Sequence, residues 1–171
     1  AVSRECKATR QSVGIFDAST LGKIEVVGPD AVEFMNRMYT NPWTSLKPGR
    51  CRYGLLLGDD GFIRDDGVIG RLSQDRFHVT TTTGGAARVM NMMEDYLQTE
   101  WPKLNVWLTS TTEEWSTIAL NGPNAAKLLA PLVYGVELTE EAFPHMACIE
   151  CTVAGMPARL FRVSFTGEIG F

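Results

Sequence analysis

IEVVGPDAVEFMNRM, residues 24–38, sets the reading of this chain. Residues 24–27 carry the β-branched side chains of a strand. Gly28-Pro29-Asp30 stops that strand and opens a helix, with proline at its permitted first position. Ala31, Phe34, Met35 and Met38 then recur at i, i+3, i+4 and i+7, which is one buried helix face. The same order returns in IALNGPNAAKLLAPL, residues 118–132, where Gly122-Pro123 lies 94 positions after Gly28-Pro29. The duplication predicts two similar strand–helix halves.

Between and after these segments the chain reads mostly as strands. Tyr53–Leu57 is a strand, Gly58-Asp59-Asp60-Gly61 has hairpin chemistry, and residues 62–72 form a second strand. A turn at 73–76 leads to a third strand, Phe77–Thr82, which Gly84-Gly85 ends. Residues 86–99 read as a helix with Met90, Met93 and Leu97 on one face. Asn105–Leu108 and Trp115–Leu120 are two further strands. Cys148–Val153 and Pro157–Ser164 flank Ala154-Gly155, a hairpin. Runs of strands with few helices give an α+β class with antiparallel sheets rather than a doubly wound sheet.

The chain has 171 residues, 44% of them hydrophobic and 21% charged, as in an ordinary globular domain. It lacks an initiator Met, and RLFRVSFTGEIGF stops at Phe171 inside an apolar element. Residues 1–171 therefore read as the N-terminal portion of a single, incomplete domain, truncated at its C-terminus. An open edge at Phe171 predicts marginal stability or self-association. The net charge of -4 and the lack of a basic cluster argue against nucleic acid. No apolar run reaches the roughly 20 residues that span a bilayer, and no signal peptide opens the chain, so a cytoplasmic protein is expected. The four cysteines are too few for a disulfide scaffold. Cys148 and Cys151 form a C-x-x-C on a strand, where they face opposite ways, and no second ligand pair completes a zinc site. His78 and His145 are isolated and read as packed or surface residues, not metal ligands. Arg50 and Arg52, beside Tyr53, read as surface groups with an anion pocket as the alternative. No G-x-G-x-x-G or P-loop is present.

GFIRDDGVIGRL, residues 61–72, is a strand interrupted by two adjacent carboxylates. A second Asp-Gly turn at Asp65-Asp66-Gly67 would leave too short a strand, so Gly67 reads as a bulge inside one longer strand. Alternation puts Phe62, Arg64, Asp66 and Val68 on one face and Ile63 and Asp65 on the other. A carboxylate facing a core must be paired or hydrogen-bonded. By pattern alone, an ion pair with Arg64 or Arg71 competes with a role in a site.

STLGKIEVVGPDAVEFMNRMYTN, YGLLLGDDGFIRDDGVIGRL and RLFRVSFTGEIGF resemble the aminomethyltransferase family, whose type member is the glycine-cleavage T-protein. CRYGLLLGDDGFIRDDGVIGRL, FHVTTTTGGAARV and MEDYLQTEWPKLNVWLTSTTEEW are similar, more narrowly, to the folate-binding part of the α subunits of heterotetrameric sarcosine oxidases. The likeness runs over essentially the whole chain. It implies the aminomethyltransferase folate-binding fold, with tetrahydrofolate in a central channel. It implies that Asp66, the second of the pair, is the catalytic carboxylate and that Asp65 serves structure. A nitrogen attacking an iminium must shed a proton, and a carboxylate can take it and stabilise the cation.

The resemblance also implies folate contacts at Tyr53, Thr82, Thr83 and Phe165. Thr82 stands where T-proteins have Asn, and Phe165 where they often have Tyr. It implies that FAD, FMN and NAD are held elsewhere in the parent enzyme, that other sarcosine oxidase subunits are partners, and that a sarcosine-derived imine is the carbon donor. Methylene-tetrahydrofolate and glycine would be the products. The family's pterin-anchoring Glu would follow Phe171, so the isolated chain is expected to be inactive. The alternatives are an aminomethyltransferase of glycine cleavage, with a lipoyl carrier as partner, and a non-catalytic folate-fold protein. The latter's Lys-Gly-Cys-Tyr-x-Gly-Gln signature is not found.

Overall fold

The structure is a computed structural model that describes residues 1–171. In chain order its elements are α1 (Val2–Gln11), β1 (Gly14–Asp17), β2 (Gly22–Val27), α2 (Ala31–Met38), β3 (Arg50–Leu57), β4 (Ile63–Ser73) and β5 (Arg76–Thr81). A 3-10 turn (Thr83–Gly85) leads into α3 (Ala86–Thr99). Then come β6 (Trp107–Ser110), β7 (Ile118–Asn121), α4 (Ala125–Leu129), β8 (Val133–Tyr134), β9 (Cys148–Val153) and β10 (Met156–Phe161). The class is α+β with antiparallel pairing throughout. The chain divides into two compact units, residues 19–116 and residues 1–18 with 117–171. No helix is long and apolar enough to cross a membrane.

In the 19–116 unit, five strands form one sheet in the order β3-β4-β5-β2-β6. Ile24, Val26, Leu56, Ile69, Phe77 and Val79 pack with Phe34, Met35 and Met38 of α2 and with Val89 and Met93 of α3. These side chains are almost wholly buried, at roughly 1.5–3 kcal/mol each for the larger ones. That burial, with Trp43 fully enclosed, fixes the helices to the sheet. In the other unit, β1 pairs with β7, and β10-β9-β8 form a second small sheet. Leu120, Ala125, Leu129, Phe143, Ala147 and Leu160 make its core. Residues 169–171 hydrogen-bond back to 120–122. Cys148 is buried and Cys151 half-buried on β9, and burial pushes the Cys151 thiol up.

The two Gly-Pro segments have the same local structure. Gly28 has φ +142 and Gly122 φ +136, a region that favours glycine. A Cβ on Gly28 would lie 2.1 Å from the Asn105 carbonyl oxygen, and one on Gly122 would lie 2.4 Å from that of Ser12. Ala31 N–H donates to the Gly28 carbonyl at 2.9 Å and Ala125 N–H to that of Gly122 at 3.0 Å. The helices begin two residues later than the sequence predicts, at Ala31 and Ala125 rather than at the prolines. Asp30 and Asn124 are the capping positions, so each proline precedes the cap.

Three further expectations change. The strand expected at 115–120 begins at Ile118, and that expected at 105–108 runs 107–110. A helix at 2–11, which the sequence reading left unassigned, opens the chain. The bulge is not at Gly67. Gly67 pairs regularly with Gly54, and the register slips between Asp65↔Leu56 and Ile63↔Leu57, so Arg64 is the extra residue. Gly67 is demanded by a close approach instead: a Cβ there would lie 2.0 Å from the Thr80 carbonyl oxygen.

Candidate functional site

The slip at Arg64 sets which way the two aspartates point. Beyond it, β4 alternates regularly against β3, with Asp66 opposite Leu55 and Val68 opposite Tyr53. Directly opposed residues share a face, so Tyr53 and Asp66 are diagonal neighbours on one side of the sheet. Asp65 turns to the other side with Leu56 and Ile69 and is 4% exposed. The expected face division therefore holds for Asp65 and Asp66. The ion-pair alternative does not: Arg64 pairs with Asp60, and Arg71 donates to the carbonyls of Leu46, Ser73 and Gln74.

Asp66 is half-buried, and its Oδ2 accepts the Tyr53 hydroxyl. This hydrogen bond, with smaller contributions from burial and from the charges of Asp66 and Asp65, raises the Tyr53 phenol above its usual value. The bond orients the carboxylate and leaves lone pairs on Oδ1 for a ligand. Tyr53 is itself 48% exposed, so the pair stands at an accessible surface of the sheet.

Asp65 has a different task. Its Oδ1 accepts the Thr82 hydroxyl at 2.6 Å, and both its oxygens lie 3.3 Å from the Thr82 N–H. Thr82 precedes the 3-10 turn that feeds α3, so a carboxylate from β4 sits at that helix's N-terminal end, where negative charge is stabilised. Gly85 is needed there, because a Cβ would lie 2.7 Å from Asp65 Oδ2. The charge of Asp65 also reaches Tyr39, whose phenol is raised by burial first and by Asp65 second.

Side chains replace the backbone ladder between β4 and β5 at this end. The ladder runs from Ser73↔Arg76 to Ile69↔Val79. At the next pair, Thr80 Oγ1 takes the Val68 N–H at 3.0 Å and donates to the Val68 carbonyl at 2.8 Å. Beyond it the Asp65 side chain supplies the cross-strand bonds, to the hydroxyl and N–H of Thr82.

Of the sequence-predicted residues, Tyr53 and Asp66 thus meet on one face of this sheet, and Thr82 lies at the same end, bonded to Asp65. Thr83 is exposed, and its hydroxyl lies 3.0 Å from that of Thr20. Arg52 is committed to the 42–45 loop through the Pro42 carbonyl and Ser45. Phe165 belongs to the other unit. It is 80% exposed and its ring centroid lies 6.0 Å from that of Phe16. Arg10 of α1 holds the turn that follows, donating to the Thr166 carbonyl at 2.8 Å and to Glu168 at 2.7 Å. A cleft of about 430 Å³ beside it is lined by Ala8, Thr9, Val13, Phe16, Asn121 and Thr166. Sequence reading missed Arg10 and Phe16. Their partners lie about 150 positions away, and no local pattern marks such a pairing.

Comparison with known proteins adds the following. The family model described as the GCVT N-terminal domain matches residues 1–171. The sarcosine oxidase subunit alpha of Corynebacterium sp. (strain U-96) is 53% identical over 172 residues, covering 100% of this chain and 18% of that subunit. That of Rhizobium meliloti (strain 1021) is 45% identical, covering 99% of this chain and 17% of its own length. Among solved structures, the glycine cleavage system aminomethyltransferase T from Bartonella henselae superposes with a TM-score of 0.84 at 30% identity, over 99% of this chain and 44% of that one. Heterotetrameric sarcosine oxidase from Corynebacterium sp. U-96 superposes with a TM-score of 0.65 at 16% identity, a likeness of fold. The chain thus spans less than a fifth of the sarcosine oxidase subunits it resembles.

Proposed function

This chain belongs to the GCVT N-terminal domain family, and from that premise we propose that it is the leading part of the folate-dependent domain of a sarcosine oxidase α subunit. The observation that carries the reading is the Tyr53–Asp66 pair, an oriented carboxylate on an accessible sheet face, in a chain half identical to such subunits. In this reading sarcosine, oxidised elsewhere in the enzyme, arrives as its protonated imine, the iminium CH2=NH⁺–CH2–COO⁻. A tetrahydrofolate amine attacks the methylene carbon. Asp66 takes the proton that the attacking nitrogen sheds, and its charge stabilises the iminium before attack. Asp66 then returns that proton to the glycine nitrogen as its bond to the carbon breaks, the second folate amine closes the ring and its proton passes to the departing glycine, and methylene-tetrahydrofolate and glycine leave. Tyr53 holds the carboxylate in place, and Thr82 lines the same end of the sheet. Thr83 is a further candidate for contact with the folate.

Flavin and nicotinamide chemistry would reside in other parts of the enzyme and in its partner subunits. The Gly84-Gly85 turn before α3 does not suit a dinucleotide, because the Asp65 carboxylate stands where a pyrophosphate would sit. The closer superposition on the Bartonella protein favours one second reading, an aminomethyltransferase that takes its carbon from a lipoyl carrier. A flavin-bearing partner subunit separates the first reading from the second.

The test uses the full-length protein with its partner subunits, supplied with sarcosine and tetrahydrofolate. Asp66→Asn is expected to lower methylene-tetrahydrofolate formation by roughly 10²- to 10⁴-fold. Sarcosine consumption continues, and the imine hydrolyses to formaldehyde. Unchanged methylene-tetrahydrofolate yield in the variant would remove Asp66 from the reaction.

A further inference from the structure

We propose that Asp65 is a positioning residue that fixes the Thr82 hydroxyl as a hydrogen-bond acceptor, so that this side of the site takes an N–H edge of its ligand. A threonine hydroxyl has one proton and two lone pairs, and left to itself it turns to suit either kind of partner. Here the proton is committed. Asp65 Oδ1 accepts it at 2.6 Å, and a carboxylate accepts only. The Thr82 backbone N–H is turned to the same carboxylate, 3.3 Å from both oxygens. Thr82 therefore has lone pairs alone to offer outward, and it is exposed.

Asp66, on the sheet face opposite to Asp65, is an acceptor too, since the Tyr53 proton is spent on its Oδ2. A ligand edge with N–H groups satisfies the Thr82 lone pairs, whereas a carbonyl edge leaves them facing lone pairs. Rejection of the wrong edge follows from unpaired polar groups, which discriminate more sharply than shape.

This inference rests on the folate reading and refines it: the edge of the reduced pteridine that meets Thr82 is an amine or amide N–H. Asp65→Asn reverses the lock, because its amide donates to Thr82 Oγ1 and frees the hydroxyl proton to point outward.

The experiment is calorimetric titration of 5-formyltetrahydrofolate, a stable reduced folate, into the full-length protein and its variants, with melting temperature recorded for each. Thr82→Val is expected to weaken binding by roughly 3- to 10-fold, the worth of one hydrogen bond. Thr82→Ser keeps wild-type affinity. Asp65→Asn weakens binding in variants that remain folded, and the double variant binds no more weakly than Thr82→Val alone, since Asp65 acts through the hydroxyl. Equal affinities of Thr82→Val and Thr82→Ser overturn the proposal. So does an Asp65→Asn loss that adds in full to that of Thr82→Val. If Asp65→Asn does not fold, the two Thr82 variants decide by themselves. Absence of binding by the unmodified protein defeats the folate reading and this inference with it. Binding that none of these changes alters defeats this inference alone.

Discussion

Tyr53 is the residue whose titration reports on the site. Its phenol is raised by the hydrogen bond to Asp66, so the protonated form outlasts an ordinary tyrosine, whose pKa is about 10. A raised folded-state pKa places the pair's contribution to stability in full below about pH 10, and that contribution is lost as pH rises through the folded value. Phenolate absorbance should therefore show a late-titrating component, shared with Tyr39 and Tyr96, that loses amplitude in Tyr53→Phe and part of which Asp66→Asn moves to lower pH. An unchanged late amplitude in Tyr53→Phe would show that Tyr53 does not contribute to it. At this scale the Asp-Asp pair was legible because strand alternation forces neighbours to opposite faces. The tie from Asp65 to Thr82 was not legible. It depends on where β5 leaves the ladder, and the hydroxyl that replaces the ladder, Thr80, looks in sequence like any strand threonine.

Among the elements, β4 carries most of the constraint. Its slip at Arg64 aims the aspartates, and Gly67 admits the Thr80 carbonyl. Gly67→Ala forces that backbone contact apart and is expected to destabilise by roughly 1–3 kcal/mol, as overpacking does. Urea denaturation of the variant measures it, and an unchanged midpoint would mean that β5 yields freely. Strand and helix identities were readable from periodicity, since the apolar faces of α2 and α3 are regular. The bulge position was misplaced because glycine has two structural meanings in a strand, extra residue or close neighbour, and composition does not separate them. The duplicated Gly-Pro segment was the most informative pattern. Both glycines meet a carbonyl at the same point of the same motif, so the repeat preserves a backbone contact as well as a helix start.

For the whole molecule, the two-unit division follows from chain path. Residues 19–116 contain their entire sheet and core, and Lys23 bonds both the Ser19 and Thr112 carbonyls, at 2.7 and 3.1 Å, near the two ends of that segment. Residues 19–116 expressed alone should fold, with Tyr53, Asp66, Asp65 and Thr82 in their native bonds. Dispersed amide resonances would show this, and a collapsed, undispersed spectrum would refute it. The sequence made the duplication readable, but it gave no sign that the second half begins with the first eighteen residues, because β1 carries no repeat motif and finds its partner about a hundred positions later.

That pairing bears on the order of events during folding. In an unstructured chain, joining β1 to β7 closes a loop of about a hundred residues, and loop entropy rises with the logarithm of length. Once residues 19–116 have formed, the pinned ends act as a short tether of about ten residues, and the closure penalty falls by roughly 2 kcal/mol. The buried amine of Lys23 thus does kinetic service as a clasp: the inserted unit assembles first, and β1, made before it, waits for β7, made after it.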